Sequence, residues 1–322
     1  MTISRRRVLR AGAAAAFAVL LAAFARHVNW HSVGAAVRDA DPWLLFAAVV
    51  INLVSLALKG VRWWVFLRPL GVRSLTLVLR ATFAGASLNN LVVAQGGEGA
   101  RVLLVSRASG VSSAQVAAAL ALERVLDAIS YLVLLVSATW MFELPEVLSR
   151  LRIISSVLLV SVAVALVAVG ELARRGVLAF DAGQAADRRV QSYLRRFATS
   201  LASLGTSSRL AAAMALSLGA WALQVATYHL VARAAHLDVP LAASVAAMLT
   251  VGVSFLVRAT PGNVGVFQVI YALTMRSFGV ANGAAVAVSL LLQMLQVIPT
   301  IVIGTLVTPL GPVRLTTRGS SS

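Results

Sequence analysis

The chain alternates between apolar runs of membrane-crossing length and short polar breaks that carry arginines. A bilayer core of roughly 30 Å needs about 20 apolar residues as a helix. Such runs lie near residues 8–25, 43–66, 114–142, 153–170, 209–235 and 284–309, and they predict six full transmembrane helices. The apolar pieces left over, Leu75 to Val93, Glu98 to Val111, Leu241 to Val257 and Val264 to Phe278, fit no further pair of complete crossings. Glycines, asparagines and a Pro-Gly pair interrupt them at "LNNLVVAQGGEG" and "VRATPGNVGVFQ".

The arginines orient the chain, because cytoplasmic loops of membrane proteins collect Lys and Arg. Arg5, Arg6, Arg7 and Arg10 place the N-terminus inside, and Arg62, Arg68 and Arg73 read as the cytoplasmic edge of the second span. Seven arginines between Glu171 and Arg209, against Glu171, Asp181 and Asp187, mark 171–209 as a basic cytoplasmic loop. That loop falls inside only if 75–111 enters and leaves from the cytoplasm as a re-entrant hairpin. The same parity makes 241–278 a hairpin entering from outside and returns the C-terminus, with Arg314 and Arg318, to the cytoplasm. The expectation is an all-α polytopic membrane protein, one integral domain over 1–322, with six full transmembrane helices and two oppositely oriented re-entrant hairpins. Helix breaks at depth are tolerated where they are buried in protein or line a wet cavity. Opposed hairpins suit an inverted repeat around a central site, although the two halves share no clear sequence identity.

Composition narrows the class. Of 322 residues, 60% are hydrophobic and 12% charged, against roughly 25% charged in a soluble domain. The net charge of +17 comes from 27 arginines and one lysine scattered between apolar runs, so no nucleic-acid surface is expected. With no cysteine and four scattered histidines, disulfides, thiolate chemistry and a metal site are not expected, and no cofactor is implied. "SRRRVLRAGAAAAFAVLLAAFARH" is compatible with a twin-arginine export signal or with an uncleaved first span. "LRRFATSLASLGTSSRL" fits an amphipathic surface helix or a solvated loop.

Charges inside spans carry the functional signal, since they are costly there and face an interior or a pathway. They are Glu98 and Arg101, then Glu123, Arg124 and Asp127, and Arg258 beside the second hairpin tip. Spacing lets Asp127 pair with Arg124 on one helix face. The acids read equally as a structural network, whereas arginine forks suit phosphate oxygens. Asn89, Asn90, Gln224, Asn263, Gln268, Gln293 and Gln296 line the same cavity or join helices as interhelical glue.

"GGEGARVLLV", "ERVLDAISY" and "PGNVGVFQ", in that order, resemble the motifs of the lysylphosphatidylglycerol synthase/flippase membrane-domain family, roughly G-E-x-x-R, E-R-x-x-D and P-G-G-x-G-x-x-E. The similarity runs over nearly the whole chain. It implies a multi-pass bacterial inner-membrane protein that moves lipids across the bilayer. The matching positions are Glu98 and Arg101, Glu123, Arg124 and Asp127, and Pro261, Gly262 and Gly265; Gly96 and Gly97 stand at the first tip. Two positions depart: Asn263 replaces the usual second glycine and Gln268 the usual acid, which weakens the case for a cationic headgroup. The sequence ends at "VRLTTRGSSS", and it offers no transfer-RNA site, nucleophile elbow, P-loop or metal motif. A non-enzymatic translocase binding phospholipid headgroups through Glu98, Arg101, Glu123, Arg124, Asp127, Arg258, Asn263 and Gln268 is therefore expected. The alternatives are a membrane subunit of a lipid or glycan synthase and a lipid-phosphate-modifying enzyme. A homodimer or a synthase partner is compatible with either.

Overall fold

The structure is a computed structural model, and it describes residues 34–35, 38–91, 96–174, 207–254 and 263–307. All the regular structure among them is helical. In chain order the helices are α1 (Pro42–Leu67), α2 (Leu75–Leu91), α3 (Gly96–Ser109), α4 (Ser113–Met141), α5 (Glu146–Arg174), α6 (Ser207–Ala234), α7 (Leu241–Ser254), α8 (Val266–Arg276) and α9 (Asn282–Val307). They fall where the apolar runs lie. The first predicted span, most of the 171–209 loop and the chain ends lie outside the described residues, as do Arg258, Pro261 and Gly262. α5 starts earlier than the 153–170 run. Its first turn is held by the Arg150–Glu146 ion pair at 2.6 Å, and the Arg152 guanidinium lies 5.2 Å from the Trp140 ring.

Local sequence sets the ends. Asp41 caps α1 by accepting from the Trp43 and Leu44 amides at 2.8 and 3.2 Å, with Pro42 in the first turn where its missing N–H costs nothing. Past Leu67 a single 3-10 turn, Arg68–Leu70, closes on Gly71 at φ 102°. Among the described residues, three helices are long and apolar enough to cross a membrane: Pro42–Leu70 with 29 residues, Ser208–Ala234 with 27 and Asn282–Val307 with 26. Their outer faces are apolar. Trp43, Phe46, Val50 and Val54 are exposed along α1, while Asn52, Ser55 and Arg62 of the same helix are buried. A soluble helix shows the reverse pattern; here lipid is the outer solvent.

α1 and α6 form the most extensive helix pair, and they run antiparallel. The Asp41 amide donates to the Ala234 carbonyl at 2.9 Å, Ser55 Oγ to the Ala220 carbonyl at 2.8 Å, and Arg62 Nη1 to Ser217 Oγ at 2.6 Å. The remaining contacts fall into matched pairs. α1 meets α2 as α6 meets α7, α2 meets α3 as α7 meets α8, and α3 meets α4 as α8 meets α9. Likewise α1 meets α9 as α6 meets α4, α2 meets α9 as α7 meets α4, and α1 meets α4 as α6 meets α9. The helix starts are displaced almost evenly, Pro42 to Ser207, Leu75 to Leu241, Gly96 to Val266 and Ser113 to Asn282. Only α5, packed on α4, stands outside this scheme among the described helices.

The core divides in the same way. One apolar cluster gathers Tyr228, Met248, Phe267, Tyr271, Met275 and Leu292 around α6 to α9. The other gathers Trp63, Phe66, Val78, Val105, Val116 and Leu122 around α1 to α4. In the α2/α3 hairpin the helices touch backbone to backbone. A Cβ on Gly97 would run into the Gly85 carbonyl oxygen and come 2.6 Å from Asn89 Oδ1. Asn89 Oδ1 accepts from the Gly97 amide at 2.9 Å, which ties the hairpin just below its tip.

Candidate ion-network site

Each charged motif sits where two or three helices meet. Arg62, on the last turns of α1, is fully buried. Its Nη1 lies 2.7 Å from Asp127 Oδ1 and its Nη2 3.1 Å from Glu123 Oε1. Glu123 is shared, because its Oε2 lies 3.1 Å from Arg101 Nη2, which also donates to Thr82 Oγ1 at 3.4 Å. The Arg101 guanidinium stacks on the Trp63 ring at 4.2 Å. A Cβ on Gly85 would strike the Arg101 stem, 2.6 Å from its Cδ. At the outer edge Arg124 pairs with Glu98, and its Nη1 lies 3.8 Å from Asp127 Oδ2.

This differs from the sequence reading in two ways. Arg62 was expected at a loop edge, yet it is the centre of the network and is enclosed by α1, α4 and α6. Asp127 was expected to pair with Arg124. Its close partner is Arg62, and Arg124 turns to Glu98. The physical reason is reach: residues three apart on one helix hold their charged ends weakly, whereas α1 and α3 present guanidinium groups directly to α4. Glu98, Arg101, Glu123, Arg124 and Asp127 thus lie in one ion network, joined by Arg62. Three arginines face three carboxylates, so the cluster carries no net charge. Neutrality is what makes such a cluster tolerable at membrane depth.

Gln268 of α8 pairs with Gln293 of α9 in a second polar cluster, and Asn263 lies in the turn before α8. Gln268 is fully buried; its Oε1 accepts from the Gly265 amide at 2.6 Å and its Nε2 donates to Gln293 Oε1 at 2.5 Å. The side chain caps the start of α8, a role an acid at that position would also fill. Asn263 has φ 60°, in the left-handed region, and Gly265 has φ 88°. Asparagine tolerates that region best after glycine. Both departures from the family pattern therefore keep the backbone geometry of the turn. By the displacement of Gly96 to Val266, Glu98 falls on Gln268 and Glu123 on Gln293. The charged cluster between α3 and α4 and the amide pair between α8 and α9 occupy corresponding places.

Sequence reasoning passed over Lys59, the one lysine, on α1 a turn before Arg62. Its Nζ lies 5.3 Å from the centroid of Trp221 on α6, and Trp221 meets Tyr131 of α4 edge-on at 5.5 Å. An isolated lysine inside an apolar span was the available signal. At the Arg68 end of α1, a notch of about 500 Å³ lies between Trp64, Val65, Arg68, Pro69, Ser208, Arg209 and Ala212. Among the described residues no cluster of ligands suits a metal.

Helices of membrane-crossing length, apolar outer faces and a buried neutral ion network define an integral membrane protein. The sequence profile of the family described as "Lysylphosphatidylglycerol synthase TM region" matches residues 10–304, and the chain belongs to that family. It is also similar to the "Glycosyltransferase AglD" of Haloferax volcanii, with 34% identity over 108 residues, 33% of this chain and 17% of that protein. The chain therefore spans only a small part of that relative's length. No solved structure matches.

Proposed function

We propose that the protein is a lipid translocase of the bacterial inner membrane, carrying the headgroup of a phosphate-bearing lipid between leaflets without covalent chemistry. The observation that carries this reading is the matched set of helix contacts around the antiparallel pair α1 and α6. A two-fold relating antiparallel helices is perpendicular to them, and for helices that cross the bilayer it lies in the membrane plane. The α2/α3 hairpin follows the end of α1, and the α7/α8 hairpin follows the end of α6. Those ends point to opposite faces, so the two hairpins enter from opposite sides, the arrangement of inverted-repeat transporters. Six crossings with the basic segments inside complete this topology, and the membership in a lipid-synthase membrane-region family agrees with it.

Catalysis finds less support. Glu98, Glu123 and Asp127 are each engaged by an arginine, which leaves no poised acid or base. The second reading is a membrane subunit for a lipid or glycan synthase; its support is the partial similarity to a glycosyltransferase.

Transfer between leaflets tests the proposal. In sealed vesicles carrying a trace of NBD-phosphatidylglycerol, protein-containing vesicles should lose fluorescence to external dithionite beyond the outer-leaflet fraction. If neither phospholipid nor polyprenyl phosphate moves, with or without a proton gradient, the translocase reading fails and the subunit reading takes its place.

A further inference from the structure

Each arginine of the ion network is paired with a carboxylate, and the N–H groups without an acceptor, among them Arg62 Nε and Arg101 Nε, are enclosed. Arg62, Arg101 and Arg124 are matched one for one by Glu98, Glu123 and Asp127, and Arg62 and Trp63 are fully enclosed. A further cation, Lys59, lies deep in a span. Lys59 makes no ion pair and no hydrogen bond among the described residues: Asp127 and Glu123 attract it only from beyond ion-pair distance, and its Nζ faces the Trp221 ring. Trp221 Nε1 is itself a shielded donor without an acceptor. The two residues face each other from α1 and α6, with Nζ over the indole face, and both are only partly buried.

Their position is not arbitrary. At about 1.5 Å per residue, Ser55 and Trp221 fall at the middle of Pro42–Leu70 and Ser208–Ala234, with Lys59 one turn farther on. Ser55 hydrogen-bonds the carbonyl of Ala220, the residue before Trp221. Under the displacement of Pro42 to Ser207, Ser55 corresponds to Ala220, so the axis relating the two halves passes between them. The unfilled donors therefore sit beside that axis at mid-membrane. Tyr131 fixes the indole from its edge while donating its hydroxyl to the Leu249 carbonyl.

We propose that Lys59 Nζ and Trp221 Nε1 form the mid-membrane site for a phosphate oxyanion, with the arginine–carboxylate network serving as its rigid frame. The site rests on the translocase reading and assigns the phosphate of that lipid headgroup to two named donors. An oxyanion supplies the acceptors that both donors lack. Its charge offsets that of Lys59, which no carboxylate of the network pairs directly.

Wild type, Lys59→Met, Lys59→Arg and Trp221→Phe test it in two assays. Native mass spectrometry in detergent measures retention of dioctanoyl-phosphatidylglycerol, of dioctanoylglycerol, which lacks the phosphate, and separately of inorganic phosphate. Vesicle transfer of NBD-phosphatidylglycerol measures movement. Wild type should retain the phosphatidylglycerol over the diacylglycerol. Lys59→Met should lower both retention and transfer about tenfold or more, the scale of a lost hydrogen bond to a charged group. Trp221→Phe should weaken both, and Lys59→Arg should keep most of both. Lys59→Met should melt no lower than wild type, because it removes an unpaired charge from the bilayer. If wild type moves lipid and Lys59→Met moves it equally, the site is wrong while the translocase reading stands. If lipid is held through Lys59 but never moved, the site stands and the translocase reading falls. Loss of transfer accompanied by a lowered melting temperature in Lys59→Met would show a structural cation–π contact and overturn the site. Retention of inorganic phosphate but not of the lipid would overturn the lipid assignment.

Discussion

Arg62→Met should lower the stability of the purified protein by about 3–5 kcal/mol, the cost of removing one partner from a buried ion cluster. Arg62 is fully buried and bridges two carboxylates of α4, Glu123 and Asp127, while its Nη1 also reaches Ser217 on α6. Without it both acids lose their central cation and the cluster turns net negative at depth. Arg68→Ala, on the exposed turn past the same helix, should stay within about 0.5 kcal/mol of wild type. Melting in detergent compares the two directly. Equal behaviour would mean that Arg62 serves only to orient the chain and that the network does not hold α1, α4 and α6 together.

The second large effect lies in the first hairpin. Gly97→Ala should destabilise by at least the roughly 1–3 kcal/mol typical of overpacking. The obstacle to the new methyl is the backbone carbonyl of Gly85, which cannot swing aside as a side chain could. The shift would spread α2 from α3 and pull Arg101 away from Glu123. Gly99→Ala, two residues along the same helix with open space around it, should melt at or slightly above the wild-type temperature. A Gly97→Ala protein that melts like Gly99→Ala would show that the hairpin is not packed backbone to backbone.

The helices were readable because an apolar run of membrane length has few other uses, and the described helices match those runs within a few residues except at the start of α5. Glu98, Arg101, Glu123, Arg124 and Asp127 were readable as a group because charge inside a span is expensive. Their pairing was not, since Arg62 meets Glu123 and Asp127 across two intervening helices and no spacing rule connects them. Arg62 was also disguised by Arg68 and Arg73, which continue it into what looks like an ordinary cytoplasmic edge. Lys59 went unread because a single lysine among 27 arginines adds little to a charge pattern; only the fold shows that it faces Trp221 rather than pairing with a carboxylate. Asn263 and Gln268 looked like losses of family function, and the backbone at φ 60° and the capped Gly265 amide give both a structural reason.

Because the chain contains no cysteine, single cysteines introduced at the hairpin feet can be labelled without background. Ser74→Cys and Ser109→Cys flank the first hairpin, and Asp238→Cys and Ser277→Cys flank the second. In intact cells, a membrane-impermeant maleimide should label the Asp238 and Ser277 positions and leave those at Ser74 and Ser109 unlabelled until the membrane is opened. Labelling of one foot of a hairpin but not the other would make that hairpin a full crossing, and labelling of all four from the same side would contradict the inverted arrangement outright.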